Sequence, residues 1–160
     1  MLTSALLLCF GCYGGTSGLL TEELIFRGAV LFILLRRIGK SNALLLSAAA
    51  FGVYHWFSFG LWGNVVPMVV IFTGTGLMGY ALALAYYKTE SVALPVGIHL
   101  GWNFTLNTVF SKGPLGTGVM ISSTALPPNT LFSLIGLIGA PLLILAGVKV
   151  LLPQKVPVGR

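Results

Sequence analysis

Five stretches of this chain, Leu19–Leu35, Ala43–Phe59, Val65–Tyr87, Val92–Phe110 and Leu131–Leu152, run for about 17 to 23 residues with few charges, the length an α-helix needs to cross the hydrocarbon core of a bilayer. A shorter apolar stretch, Met1–Tyr13, precedes them. Within hydrocarbon every backbone N–H and C=O must be satisfied inside the structure, and apolar runs of this length do so as helices. The expected fold is therefore all-α, a polytopic transmembrane helical bundle of about five to six spans. The linkers are too short to separate a second core, so residues 1–160 read as a single membrane-embedded domain. The chain is 56% hydrophobic and 8% charged, against roughly 25% charged in soluble domains, which excludes an ordinary soluble fold.

The net charge of +6 raises the question of nucleic acid, but the basic residues punctuate the ends of apolar runs instead of clustering on one surface. With alternating helix directions, Arg36, Arg37, Lys40, Lys88, Lys149, Lys155 and Arg160 fall on one side and Lys112 on the other. That asymmetry makes the crowded side cytoplasmic and leaves no nucleic-acid partner. Trp56, Phe57, Phe59 and Trp62 gather near the opposite face, as an aromatic belt would. Gly97 with Gly101, and Thr75 with Gly79, are small pairs at helical spacing that would let neighbouring backbones approach. Cys9 and Cys12 form a CxxC with no second Cys or His pair beside it, and read as small buried hydrophobes. Met1–Phe10 lacks the basic n-region of a signal peptide and reads as a short or partial first span.

Against this apolar background the polar residues that lipid should reject are few: Glu22, Glu23, Arg27, His55, His99 and Asn103. At about 1.5 Å per residue, Glu22 lies roughly 21 Å from Arg36, His55 roughly 22 Å from Lys40, and His99 and Asn103 roughly 16 and 22 Å from Lys88. Three helices thus bring their odd polar groups to similar depth. His99 and Asn103, four apart, share a helix face, and so do Glu23 and Arg27, with the acid N-terminal to the base in the favourable order. Glu22 is turned about 100° away from that pair. Glu23 and Arg27 therefore read as a structural ion pair, and Glu22 as the free carboxylate.

A carboxylate, two imidazoles and an amide in a water-poor cavity suit hydrolysis. Glu22 would take a proton from a water held between it and His55, while His99 and Asn103 donate hydrogen bonds to the oxyanion formed at a peptide carbonyl. The competing arrangement uses Glu22, His55 and His99 as a two-histidine, one-glutamate zinc set with an open water position. Side-chain identity alone does not separate the two. An aspartyl mechanism is excluded because every acidic residue is Glu, and no HExxH is present. Gly15-Thr16-Ser17-Gly18 spells GxSG, the signature of a serine intramembrane protease, but it lies before the glutamates and leaves them unexplained.

The run Glu22-Glu23-Leu24-Ile25-Phe26-Arg27 resembles EExxxR, Phe51 to His55 resembles FxxxH, and His99 to Asn103 resembles HxxxN. Three such motifs in order on successive apolar spans resemble the CPBP intramembrane proteases, also called the Abi or type II CAAX prenyl endopeptidase-like family. The likeness covers roughly Leu19 to Phe110, the motif core. It implies an all-helical membrane enzyme that hydrolyses a peptide bond, with Glu22 as base, His55 assisting, His99 and Asn103 at the oxyanion, and Glu23 and Arg27 in support. It leaves the metal open, as zinc on Glu22, His55 and His99 or, the reading preferred here, none. Family members carry two or more spans before the EExxxR helix, so the approximately 18 residues here read as a minimal or shortened N-terminus. The implied partner is a peptide or lipidated protein substrate within membrane lipid. The eukaryotic members cleave prenylated CAAX proteins, and many bacterial relatives are linked to bacteriocin processing or self-immunity. The implied location is the plasma membrane of a prokaryote. A non-catalytic membrane immunity or binding protein on the same scaffold is the alternative, and oligomeric state is left open.

Overall fold

The computed structural model describes residues 18–105 and 130–153. The short first run, the CxxC, the GxSG up to Ser17, the linker from Ser111 to Asn129 with Lys112, and the basic residues Lys155 and Arg160 lie outside them. The described residues contain helices and turns but no strand. Helix α1 covers residues 18–38, and is α-helical at first, π-helical over Leu24–Val30 and α-helical again over Leu31–Ile38. Then follow α2 (Lys40–Ser58), α3 (Val65–Thr89), α4 (Ala93–Phe104) and α5 (Thr130–Leu151). All five expected apolar runs are helical in their described parts. Among the described residues α3 is the one helix long and apolar enough by itself to cross a membrane, and the apolar stretch Gly136–Leu151 is shorter.

Helix α3 is the hub, packing against α1, α2, α4 and α5. Its run Ala81–Ala85 is almost wholly buried, because small alanines alternate with leucines and let neighbours close in on several sides. Leu31 of α1, Ala43 and Leu44 of α2, Ala83, Leu84 and Ala85 of α3 and Val148 of α5 form one apolar core. Glycine sets the closest approaches. A Cβ at Gly74 would lie 2.4 Å from Leu137 of α5, and one at Gly79 would lie 3.0 Å from the Phe51 ring and 3.3 Å from Ala48 of α2. The expected role of Gly79 in helix contact is met. Gly97 and Gly101 differ from expectation among the described residues, where a Cβ at either would meet no atom within 4 Å.

The turns are tight. Gly39 alone joins α1 to α2, with φ +76°, a left-handed value that glycine adopts without a Cβ clash. The basic residues meet at this end of the bundle: the Lys40 ammonium sits 4.6 Å over the Tyr87 ring, and Lys88 Nζ donates to the carbonyls of Lys149 (3.1 Å) and Leu152 (2.7 Å). A cation on the last carbonyls of α5 complements that helix's dipole. At the other end of α2, Trp56, Phe57 and Trp62 cluster, with Phe57 and Trp62 rings stacked at 5.2 Å. Phe57, Phe59 and Trp62 there are exposed.

Candidate active site

The charged stretch of α1 lies where that helix widens into π-helical turns, the Leu31 N–H donating to the Phe26 carbonyl five residues back. A straight α-helix was the expectation. The wider turns re-aim the charged face, and such insertions recur at functional sites. Arg27, fully buried, is drawn inward on three contacts: Nη1–H donates to Glu23 Oε1 at 3.0 Å, Nη2–H to the Gly79 carbonyl of α3 at 3.4 Å, and the guanidinium stacks 4.2 Å from the Phe51 ring of α2. Three helices thereby converge on one cation.

Glu23 is also fully buried, and its Oε1 accepts a second hydrogen bond, from His99 Nδ1 at 2.7 Å. The other oxygen, Oε2, has no partner among the described residues. Because Oε1 already accepts from Arg27, the proton of the His99 contact belongs to Nδ1, which leaves Nε2 directed elsewhere. Nε2 lies 4.0 Å from Glu22 Oε2. One imidazole is thus bracketed by both glutamates, Glu23 in direct contact and Glu22 one water's width away. The 100° between consecutive residues on α1 does not separate their targets, because the ring of α4 stands between them.

His55 is buried, and its Nδ1–H donates to the Phe51 carbonyl one turn back at 2.8 Å, so its Nε2 also carries the free valence. Both imidazoles therefore have the same ring nitrogen pinned and the same one unpinned. They are aligned by Phe51, whose ring centre lies 4.5 Å from His55 and 5.9 Å from His99, edge to face in both cases. Phe26 packs on Phe51 at 5.2 Å. Phe51 and the Gly79 carbonyl are parts of the site that the sequence reading did not single out. The Phe of FxxxH was a signal for the first, whereas a backbone carbonyl leaves none.

Glu22 differs from Glu23 in access. Its side chain is 20% exposed where that of Glu23 is 0%, and it lines a cavity of about 310 Å³ with Gly18, Thr21, Ile25, Phe26 and Tyr54. Asn103 is half-buried one turn beyond His99. Glu22, Glu23, Arg27, His55 and His99 are thus gathered, while Asn103 stands on the adjoining turn.

A zinc site needs three protein ligands converging on one point. Among the described residues no three His, Cys, Asp or Glu side chains are so placed, and Glu22, His55 and His99 do not form such a group.

Comparison with known proteins yields one family. No curated protein and no solved structure matches the chain. The model of the type II CAAX prenyl endopeptidase Rce1-like family matches residues 4–105, a span that contains every residue of the gathered cluster and Asn103. With well over half of its length matched, the chain belongs to the type II CAAX prenyl endopeptidase Rce1-like family, a family of integral membrane peptidases.

Proposed function

We propose that this protein is an intramembrane endopeptidase that hydrolyses a peptide bond of a membrane-associated or lipidated peptide or protein, using water activated by Glu22. The observation that carries the reading is the unequal use of two adjacent carboxylates. Glu23 is buried and committed to Arg27 and His99, while Glu22 faces the cavity where a substrate carbonyl and a water have room.

In this mechanism Glu22 takes a proton from the water, and the nascent hydroxide forms a bond to the peptide carbonyl carbon as the carbonyl π pair moves to oxygen. His55, with Nδ1–H held by the Phe51 carbonyl, offers the Nε2 lone pair to the water's second proton and so fixes its orientation. His99 stands on the other side of the site, with Nδ1 on Glu23 and Nε2 toward Glu22. Its Nε2–H and the Asn103 amide donate to the oxyanion, a contribution of about 10²–10³ in rate for one such donor. The tetrahedral intermediate collapses as the C–N bond breaks, and Glu22 delivers its proton to the departing amine. In this reading no step uses a metal.

The basic end, with Arg36, Arg37, Lys40, Lys88 and Lys149, is on the cytoplasmic side of a prokaryotic plasma membrane in this reading. The test is cleavage of a quenched fluorescent farnesylated CAAX-type peptide, and of its unlipidated twin, by purified protein in lipid. Glu22→Gln, His55→Ala and His99→Ala should each lose activity by about 10²–10⁴-fold, the range for removing a general base or its partner. Undiminished activity in all three would refute the peptidase mechanism. A biological effect surviving all three without cleavage would leave a binding or immunity role on the same scaffold.

A further inference from the structure

Tyr54 stands outside the family's motif positions, yet it shares the cavity wall with Glu22. Its ring is wedged between Phe26 of α1 at 5.5 Å and His55 of its own helix at 5.4 Å and 90°. These contacts fix the ring, so the direction of the hydroxyl is fixed as well. The phenol and the Glu22 carboxylate share that cavity wall and interact electrostatically, and Ser58 lies one turn along α2. Tyr54 is 38% exposed and lies at the rim, while Glu22 is deeper.

We propose that Tyr54 is a positioning residue for the peptidase reaction, its phenolic O–H holding the Glu22 carboxylate in the rotamer that keeps Oε2 directed toward His99. The proposal rests on the peptidase reading given above. A carboxylate that must accept a proton from water needs one defined direction of approach. Glu22 has three freely turning χ angles and a cavity beside it, so nothing in its own chain supplies that direction. A phenol is suited to the task because it donates one hydrogen bond without bringing a charge. A cation in its place would hold the carboxylate more tightly and make it a poorer base.

Tyr54→Phe removes the hydroxyl and keeps the ring between Phe26 and His55. It should lower kcat on the farnesylated peptide by about ten- to a hundredfold, the worth of one hydrogen bond to a charged group, with KM within about twofold of wild type. Tyr54→Leu, which also removes the ring and its stacking, should raise KM in addition. The second readout is independent of turnover. In infrared spectra at fixed pH, the antisymmetric carboxylate stretch of Glu22, identified as the band lost in Glu22→Gln, should move in Tyr54→Phe. An unmoved band overturns the proposal whatever the kinetics, and so does a moved band with unchanged kcat. If the wild-type protein cleaves no peptide while the band moves, the contact between Tyr54 and Glu22 stands and the peptidase reading is what falls.

Discussion

Replacing Arg27 by Met tests whether the buried guanidinium is the brace of the site. The side chains are similar in volume, so the substitution removes charge and hydrogen bonds while leaving no large void. Three contacts disappear: the 3.0 Å ion pair with Glu23, the 3.4 Å bond to the Gly79 carbonyl and the stacking at 4.2 Å on Phe51. The second is long, and interhelical hydrogen bonds in membrane proteins average well under 1 kcal/mol, so it contributes little. The decisive consequence is for Glu23, fully buried and left with His99 as its hydrogen-bond partner. Stranding one member of a buried pair costs about 3–5 kcal/mol, whereas replacing both members is often neutral. Arg27→Met should therefore lower the unfolding free energy by about 3–5 kcal/mol, and the double variant Glu23→Gln/Arg27→Met should recover most of that loss. The assay is unfolding by SDS titration in mild detergent followed by far-ultraviolet circular dichroism. A loss below about 1 kcal/mol for Arg27→Met, or a double variant no more stable than Arg27→Met, would refute the reasoning.

Close helix contact makes two glycines sensitive. Gly74→Ala, whose Cβ would meet Leu137 at 2.4 Å and its carbonyl at 3.0 Å, should destabilise the α3–α5 contact by about 1–3 kcal/mol, read by the same titration. Gly79→Ala presses on Phe51 at 3.0 Å and should lower kcat more than stability, because the ring aligns His55 and His99. Asn103→Ala should lower kcat by about 10²-fold with little change in KM, the signature of a group that acts on the transition state. Metal analysis of purified active protein should find less than one zinc per chain, and chelator should leave peptide cleavage unchanged. Stoichiometric zinc with chelator-sensitive, zinc-restored activity would replace the proposed mechanism by a metal-assisted one.

What the sequence made legible is what depends on neighbours along the chain. The apolar run Val65–Tyr87 appears as Val65–Thr89, and Ala43–Phe59 as Lys40–Ser58, because hydrocarbon length and flanking turns set helix ends locally. The pairing of Glu23 with Arg27 was legible for the same reason, four residues on one helix. What was not legible depends on how one helix is rotated against another. A soluble helix announces its inward face by an apolar stripe, but α3 and α5 are apolar all round. Nothing in their pattern says that Gly79 turns its carbonyl to Arg27.

Rotation between helices also explains why the split between one working and one bracing glutamate is too simple. Glu23 does brace Arg27, yet the same oxygen takes the Nδ1 proton of His99. The brace therefore decides which imidazole nitrogen faces Glu22, and fixes its distance at 4.0 Å. Arg27 acts on the same ring at one remove, through Glu23 on one side and through the face of Phe51 on the other. The π-helical turns that begin at Leu24 are the local distortion that lets one buried cation reach both. Charges that lipid alone would expel are retained because Glu23 and Arg27 neutralise each other along one helix, while Glu23 also holds His99 of another. The supporting pair and the reacting groups are consequently one hydrogen-bonded unit, and their substitutions should combine non-additively, as members of a shared network do.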